Sequence, residues 1–370
     1  MPLTQSTEPS RLTMTIQHSE LAALGWTQWF EQRVDCDTSH TIARVAAVDR
    51  DRLLLLDGTG SFRAKLAGGL LHRHRFPHDL PCVGDWVCLE RQPGDDFAIV
   101  HSVVERRTAL RRKSAGNAVE YQMIAANLDT VMIVQSCHFD FNLKRLERYL
   151  VMVMDGGADP CVLLTKTDLV DPDVLADQLS EIEAMGLMPP VLTLSNVTQD
   201  GLSALKGFLA PGKTYCFVGS SGVGKSTLIN HLIDRDALET GGVSATGEGR
   251  HTTVRRELIR LGGGALVVDT PGMREFGILD AGNGIESRYA EITELASRCR
   301  YRDCTHSGEP GCAVREAVDS GEIGRAHFEN YLKLRQESEF NQMTHAERRK
   351  KDRDFGRFIK SVKKDLKTDR

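Results

Sequence analysis

The sequence predicts a multidomain protein: an N-terminal β-barrel, a central α/β domain and a C-terminal α-helical domain that carries a cysteine/histidine cluster. Short apolar runs alternate before residue 107, apolar and amphipathic runs alternate after residue 129, and three cysteines with one histidine crowd residues 299–312. We place an N-terminal extension at 1–38, the barrel at 39–112, the α/β domain at 113–280, and the helical domain with a basic tail at 281–370.

The composition is that of a soluble globular protein. Of 370 residues, 41% are hydrophobic and 26% charged, and no run reaches the roughly 18 apolar residues of a membrane span. Residues 1–19 are polar and lack the apolar core of a secretory signal, so a frayed extension is expected. Nine cysteines, an odd number, do not suggest a disulfide framework, and their pattern is typical of a cytoplasmic protein.

Five strand-like segments predict the barrel. They are residues 41–48, 52–56, 61–66, 84–89 and 97–104, separated by turn signals. No helical run among them is long enough to form a separate layer, which favours an oligonucleotide/oligosaccharide-binding (OB) fold. Strand count alone does not separate this fold from an SH3-like barrel.

The central domain shows the alternation of a three-layer α/β fold. Five apolar segments are expected to form buried parallel strands, at residues 129–134, 160–164, 190–194, 215–218 and 265–268. Amphipathic segments at 143–155 and 174–184 are expected to form helices between them. After residue 277 the sequence turns helical and ends in charged helix.

Residues 219–226 fit the phosphate-binding pattern G-x-x-x-x-G-K-[ST], with a strand-like run before them and a helix-like run after them. Glycine is needed because backbone N–H groups must turn inward around phosphates, which a Cβ would obstruct. Lys225 is expected to reach the β- and γ-phosphates, and Ser226 to ligate Mg²⁺. The predicted nucleotide contacts are Gly219, Ser220, Ser221, Gly222, Val223, Gly224, Lys225, Ser226 and Thr227.

A second motif, Asp269-Thr-Pro-Gly272, follows the strand-like segment 265–268. Asp269 is expected in the Mg²⁺ shell, and Gly272 is placed to offer its N–H to the γ-phosphate. Taken alone, an aspartate at a strand end has the alternative of being a helix cap or a turn residue. The phosphate loop upstream favours the metal role.

Between these motifs, residues 246–253 are rich in glycine and charge, as in a switch loop. Thr253, with Thr252 as the alternative, is expected to close over Mg²⁺ and the γ-phosphate. Met273 stands where many GTPases hold a water-orienting glutamine, so intrinsic hydrolysis is expected to be slow. His251 is the candidate that orients water instead, the alternative being a surface histidine.

The candidate guanine-reading segment, Thr165-Lys-Thr-Asp168, precedes the phosphate loop in the chain. Asp168 is expected to accept hydrogen bonds from the guanine N1 and N2 groups, which adenine does not offer. The stem of Lys166 is expected to lie along the base. The contacts predicted for the base are Thr165, Lys166, Thr167, Asp168, Ser195 and Asn196, the last two through backbone N–H groups near O6. Because this segment usually follows the other motifs, the nucleotide domain is expected to be circularly permuted.

Cys299, Cys304, His306 and Cys312 supply three thiolates and one imidazole within 14 residues. This donor set suits tetrahedral Zn²⁺ and leaves no open position for a catalytic water, so one structural zinc ion is expected. Unligated chance clustering and an iron–sulfur site are the alternatives. Histidine among the ligands counts against the latter.

The order T-K-x-D, S-N, GSSGVGKST, GRHTT, DTPG and C-x4-C-x-H-x5-C resembles the RsgA/YjeQ family, the small-ribosomal-subunit-dependent GTPases. The resemblance covers roughly residues 25–365 and includes the segments 83–86, 124–127, 140–142, 148–149 and 274–277. It implies an N-terminal OB-fold, a central circularly permuted P-loop GTPase and a C-terminal zinc domain. It also implies GTP hydrolysis that the small subunit stimulates late in its maturation.

The resemblance places the family's switch-loop histidine, implicated in hydrolysis, on His251. Catalytic roles are therefore expected for His251, Lys225 and Thr253, and Mg²⁺ ligation for Ser226, Thr253 and Asp269. One departure is Thr165, where many GTPases carry an asparagine that braces the phosphate loop and contacts guanine N7. The shorter threonine is expected to weaken guanine affinity while Asp168 preserves the selectivity.

Three basic stretches are candidate RNA contacts. Residues 71–78 mix cationic groups with Phe76 between barrel strands, which suits backbone contact and base stacking, although a solvated loop is the alternative. Arg106, Arg107 and residues 111–113 either touch phosphates or only link domains. The tail 344–370 carries 11 Lys/Arg against 5 Asp/Glu, with Phe355 and Phe358, and is the stronger candidate; a disordered solubilising tail is the alternative.

The sequence is therefore interpreted as a cytoplasmic, monomeric GTPase. Its expected partners are GTP or GDP with Mg²⁺ and the small ribosomal subunit with its rRNA, and no membrane. Two rival interpretations are a P-loop ATPase or kinase, and an RNA-binding assembly protein with a vestigial nucleotide site. Asp168 argues against the first, and the intact Lys225, Ser226 and Asp269 argue against the second.

Overall fold

The computed structural model describes residues 20–37, 40–50, 52–73, 76–91, 97–113, 121–186, 189–233, 255–270 and 282–342. Packing divides the chain into two units, Met1–Arg111 with Met123–Glu275, and Arg112–Gln122 with Phe276–Arg370. The predicted boundaries at residues 38, 112 and 280 stay predictions. Among the described residues, no helix is both long and apolar enough to cross a membrane.

Five strands close the N-terminal barrel: β1 (Thr41–Asp49), β2 (Arg52–Leu56), β3 (Ser61–Leu66), β4 (Trp86–Glu90) and β5 (Ala98–Val103). Strand β1 pairs antiparallel with both β2 and β4, β4 pairs with β5, and β5 lies parallel to β3. Helix α2 (Gly68–Arg73) follows β3, and Leu70 from it packs into a core of alternating strand residues such as Val45, Leu55 and Val100. This closed order confirms the predicted OB-fold barrel.

The segment before β1 packs on the barrel rather than standing apart from it. It contains α1 (Gln28–Glu31), and Trp26 and Phe30 are buried. The Trp26 ring lies 4.9 Å from the Trp86 ring in an edge-on contact and 5.3 Å from the Phe30 ring. The apolar aromatic residues of 20–37 therefore make this part of the predicted extension a packed element, while residues 1–19 lie outside the described ranges.

Cys36 and Cys88 are joined by a disulfide bond, with Cα atoms 5.7 Å apart. The cysteine pattern did not predict this pair, because 52 residues separate the two positions and only the barrel brings them together. The other cysteines of the described ranges are free.

The α/β sheet of the same unit consists of β8 (Thr130–Ser136), β9 (Asp159–Thr165), β10 (Val191–Leu194), β11 (Thr214–Gly219), β12 (Glu257–Arg260) and β13 (Leu266–Asp269). Their order in the sheet is β10-β9-β8-β11-β13-β12. All pair in parallel except β12, which forms an antiparallel hairpin with β13 and bridges to β1 at Ala47. The five predicted parallel strands are confirmed; β12 and the two-stranded sheet of β6 (Ala109–Lys113) and β7 (Tyr121–Ala126) were not predicted.

Helices cover this sheet, as the alternation predicted. They are α3 (Leu143–Asp155), α4 (Pro172–Glu183), α5 (Leu202–Phe208) and α6 (Lys225–Leu232). One face of the strands packs against α5 and α6 through residues such as Leu205, Leu228 and Phe217. The carboxyl ends of β8, β9, β11 and β13 therefore meet at one edge, where ligands bind in open α/β sheets.

The second unit holds four helices among the described residues: α7 (Gly282–Arg288), α8 (Ala290–Ala296), α9 (Ala313–Asp319) and α10 (Arg325–Gln342). Tyr289, Ile292, Val314 and Tyr331 are buried among them. The irregular segment that links α8 to α9 carries the cysteine/histidine cluster.

Candidate functional site

The phosphate loop connects β11 to α6 and requires glycine at two close approaches. Gly219 has φ 148°, and a Cβ there would lie 2.2 Å from the Val134 carbonyl oxygen on the adjacent strand. Gly224 has φ 95°, and a Cβ there would lie 2.6 Å from Asn196 Nδ2. The loop can therefore pass between its neighbours only with bare backbone, which leaves its N–H groups for an anion.

Lys225 opens α6 and folds back over the loop. Its Nζ donates hydrogen bonds to the carbonyl oxygens of Gly219 at 2.7 Å and Ser220 at 2.6 Å. Burial lowers the pKa of Lys225, while the charges of Asp140 and Asp269 oppose that shift. A cation held here can exchange its carbonyl partners for phosphate oxygens without leaving the loop.

Ser226 and Asp269 lie at the same sheet edge. Ser226 is the second residue of α6, and Asp269 ends β13, the parallel neighbour of β11. Burial raises the pKa of Asp269, opposed by the Thr270 N–H and Lys225. A hydroxyl and a carboxylate are the oxygen donors that Mg²⁺ takes beside phosphate oxygens, so these residues fit that ion. Thr252, Thr253, His251, Gly272 and Met273 lie outside the described residues.

The guanine-reading segment is tied to the phosphate loop. The Thr165 hydroxyl lies within hydrogen-bond distance of the Val223 carbonyl, at 2.7 Å, and of the Gln135 carbonyl, at 3.1 Å. Asn196 Nδ2 donates to the Gly224 carbonyl at 3.1 Å. Thr165 therefore braces the phosphate loop despite being shorter than asparagine.

Asp168 is positioned by the second predicted base contact. Its Oδ1 accepts a hydrogen bond from the Ser195 hydroxyl at 2.5 Å, while Lys166 adopts a left-handed backbone with φ 61°. The structure therefore brings the segments 165–168 and 195–196 together with the loop 219–226, although they are distant in the chain. The sequence analysis did not identify the turn after β8, residues 137–142, which emerges between these segments. An exposed phenylalanine, Phe139, marks this turn.

The four residues of the cysteine/histidine cluster converge. Cys299 Sγ lies 3.9 Å from Cys312 Sγ, and His306 Nδ1 lies 3.7 Å and 3.3 Å from these two sulfurs. All four ligand atoms, including that of Cys304, lie within 4.8 Å of one another. A zinc tetrahedron with Zn–S of about 2.3 Å and Zn–N of about 2.0 Å has edges of roughly 3.5–3.8 Å, so the cluster fits this ion.

The loop of the cluster is set by local interactions. Burial lowers the pKa of His306, and the charge of Arg335 acts in the same direction, which favours the neutral ligating imidazole. Glu309 accepts hydrogen bonds from the hydroxyl of Thr305 at 2.5 Å and its N–H at 2.8 Å, and from the Ser307 and Gly308 N–H groups. These bonds keep the pKa of Glu309 far below its usual value and fix the turn that carries His306.

A second group, His40, Glu90 and His101, lies on the outside of the barrel with ligand atoms within 4.8 Å. Its two imidazole rings are stacked, with centroids 4.4 Å apart and planes 15° apart. Ring nitrogen lone pairs point within the ring plane, so two parallel rings do not converge on one ion. The group is therefore a stacked surface cluster.

The basic residues at the exit of the barrel serve structural links. Arg106 contacts both oxygens of Asp85 at 2.8 Å and the His78 and Leu80 carbonyls. Arg107 pairs with Asp129 at 2.6 Å, and Arg111 with Asp155 at 3.0 Å. These three arginines are thus held by carboxylates of the same unit, and phosphate contact by this stretch stays a prediction. In residues 71–78, the Phe76 and His78 rings stack at 5.2 Å.

A phosphate loop after β11, an aspartate at the end of β13 and a T-K-x-D segment after β9, earlier in the chain, define a circularly permuted P-loop GTPase. The sequence profile of the RsgA GTPase family matches residues 103–279. The small ribosomal subunit biogenesis GTPase RsgA of Opitutus terrae is 41% identical over 332 residues, 86% of this chain and 90% of that protein. The chain belongs to the RsgA GTPase family and is a GTP-hydrolysing enzyme.

A further curated relative and two solved structures are also similar to this chain. Small ribosomal subunit biogenesis GTPase RsgA 2 of Vibrio parahaemolyticus is 39% identical over 359 residues, 95% of each chain. The crystal structure of YjeQ from Thermotoga maritima matches with a TM-score of 0.58 and 26% identity, over 80% of this chain and 97% of that one. YloQ, a circularly permuted GTPase, shares the fold with a TM-score of 0.58 at 24% identity, over 83% and 98% of the chains.

Proposed function

We propose that this GTPase acts in biogenesis of the small ribosomal subunit, and that the subunit stimulates its hydrolysis of GTP late in maturation. Relatives that are 41% and 39% identical over most of the chain carry that biogenesis name. The observation that carries the proposal is the intact nucleotide site in permuted order, with Thr165 bonded to the phosphate loop. A site that no longer binds nucleotide would not require Lys225 and Asp269 beside that loop.

The roles of the nucleotide-site residues follow from their chemistry. Asp168 selects guanine, Lys225 holds the β- and γ-phosphates, and Ser226, Asp269 and Thr253 are the residues that would hold Mg²⁺. When bound, that ion neutralises charge on the phosphates. Gly272 donates its N–H to the γ-phosphate.

His251 has the task of orienting the attacking water, because the side chain of Met273 has no proton acceptor for it. We expect the loop 246–253 to close over the γ-phosphate when the subunit binds and to relax after hydrolysis. GTP hydrolysis then times release.

Zinc in the cluster of Cys299, Cys304, His306 and Cys312 has a structural role. Four protein ligands complete a tetrahedron, so the ion is expected to hold the loop between α8 and α9.

Three cations of the barrel lie over aromatic rings, and these pairs support a role in RNA binding. Arg52 and Lys65 lie over the Phe97 ring at 4.9 Å and 4.5 Å, and Arg91 lies over the Phe62 ring at 4.6 Å. Such pairs suit phosphate contact with base stacking on strands of an OB-fold. We propose that this surface and the basic tail 344–370 contact rRNA, and that the protein acts as a cytoplasmic monomer.

Co-sedimentation with purified small and large ribosomal subunits tests this proposal. We expect retention on small subunits with a non-hydrolysable GTP analogue, weaker retention with GDP, and loss as salt rises. The Arg52→Ala/Lys65→Ala double variant should bind more weakly, and a Lys206→Ala variant, far from the barrel in α5, serves as the charge control. Equal retention on both subunits, or none with either nucleotide, would contradict the proposal.

A further inference from the structure

The turn after β8 lies between the two halves of the nucleotide site. Strand β8 has β9, which leads to the guanine-reading segment, on one side and β11, which leads to the phosphate loop, on the other. Their carboxyl ends share one edge, so residues 137–142 emerge between the base-reading and phosphate-holding segments. Phe139 is in this turn.

The Phe139 ring faces both halves. Lys166 Nζ lies 4.5 Å from the centre of the ring, and a Cβ built on Gly222 would lie 4.0 Å from Phe139 Cζ. Lys166 is the residue whose stem is expected to lie along the base. The ring therefore lies beside both the residue expected along the base and the phosphate loop.

The ring is exposed on a turn that is fixed on both sides. Phe139 is 61% exposed, although phenylalanine is among the residue types most often buried. Before it, the Cys137 N–H donates to the Thr165 carbonyl at 2.9 Å, and Gln178 donates to the Cys137 carbonyl at 2.8 Å.

Two hydrogen bonds of 3.1 Å join Gln135, before Phe139, to Asn142, after it. The Gln135 side-chain amide donates to the Asn142 carbonyl, and the Asn142 N–H donates to Gln135 Oε1. The Asn142 side chain accepts from the Arg145 N–H at 2.9 Å, and Arg145 pairs with Asp140 at 2.8 Å. These bonds fix the turn that carries the ring, so Phe139 is presented from a preorganised segment.

We propose that Phe139 is a base-stacking residue of the nucleotide site: the Lys166 ammonium, which lies over the ring in this structure, moves aside, and the purine then lies between the ring and the stem of Lys166. Every base has a π-face, so stacking supplies affinity without distinguishing guanine from other purines. Selectivity stays with Asp168. Because the base is far from the transferred phosphate, this contact is equally strong before and during hydrolysis, and its loss should raise KM while kcat stays unchanged.

Equilibrium titration of GDP and a GTP analogue tests the assignment. Phe139→Ala should weaken both nucleotides by the same factor, on the order of tenfold or more, and leave their ratio unchanged. Phe139→Tyr should stay within about threefold of the parent, since the π-face is kept. Phe76→Ala, which removes another exposed phenylalanine, on the barrel, is the matched control and should not change nucleotide affinity.

A fluorescence readout separates stacking from support of the turn. The chain has three tryptophans, Trp26, Trp29 and Trp86, all in or beside the barrel. The indole introduced by Phe139→Trp should change its emission when GDP saturates the site, against the unmodified chain as background. Unchanged affinity of Phe139→Ala would overturn the proposal. So would weakened binding with no nucleotide-dependent change in the introduced indole, because the ring would then only support the loop.

Discussion

Thr165 shows how one side chain joins two parts of the predicted nucleotide site. Its hydroxyl at the end of β9 bonds to the Val223 carbonyl at 2.7 Å, so the strand that leads to the guanine-reading segment also fixes the phosphate loop. The sequence indicated only that threonine is shorter than asparagine. The distance to Val223 depends on how closely β9 and the loop approach, which no local pattern encodes.

Thr165→Val tests this brace. The two side chains have nearly the same shape, but valine has no O–H to donate to the Val223 carbonyl, and the loss of this hydrogen bond should cost about 1–2 kcal/mol. We expect lower thermal stability and several-fold weaker GDP binding. Thr165→Ser, which keeps the hydroxyl, should restore most of both. If valine binds GDP as tightly as threonine does, the hydroxyl does not brace the loop.

The hydrogen bonds and ion pairs of Asp129 predict that the folded protein loses stability in acid. Burial opposes ionisation, but the Thr214 N–H at 2.9 Å, Arg107 at 2.6 Å and Lys213 at 2.9 Å prevail and keep the pKa of Asp129 below its ordinary value. A depressed folded-state pKa gives stability that is complete above the unfolded-state pKa of about 3.9 and is lost as pH falls through the folded-state pKa. Urea unfolding from pH 6 to pH 3 should show a shallower fall for Asp129→Asn. Parallel curves would contradict this origin.

At the scale of elements, the strands were predictable and some connections were not. Alternating apolar residues predicted β1 to β5, because a strand buried on one face has an apolar side chain at every second position. Continuous apolar runs predicted the parallel strands, because these are buried on both faces. Strand β12 has the sequence Glu-Leu-Ile-Arg, and four residues are too few to show a periodic pattern of apolar side chains. The disulfide partner of Cys36 depends on barrel closure, and the position of Phe139 depends on strand order.

Arg44 links three elements that are distant in the chain. It is 1% exposed, and its guanidinium donates to the carbonyls of Leu24, Gly84 and Asn127. Burial lowers the pKa of Arg44 to about 10, so the group is still charged at neutral pH.

Lysine cannot reproduce the three directions of the guanidinium fork. We therefore expect Arg44→Lys to lower the free energy of unfolding by roughly 2–4 kcal/mol, measured by urea denaturation. Arg63→Lys, at an exposed position of β3, should change it little. Similar unfolding midpoints for the two variants would show that Arg44 is not a structural link.

At the scale of the whole molecule, we expect the second unit to depend on a bound metal ion. The loop 299–312 has little apolar core, and its ligands lie at zinc-like spacings. We expect one zinc per chain by elemental analysis. Chelation or Cys304→Ser should raise amide hydrogen exchange in this loop and in α9 while β8 and β11 stay protected. Unchanged protection of the loop after metal removal would refute a structural ion.

GTP hydrolysis with and without purified small ribosomal subunits, at low and moderate salt, tests the central claim most directly. A slow intrinsic rate that rises greatly with small subunits, and not with large ones, is the predicted result. The rise should disappear in His251→Ala, which should still bind GTP as the parent does. A rise that survives this substitution would keep the function and place the water-orienting group elsewhere. No rise at any salt concentration would contradict the proposed partner.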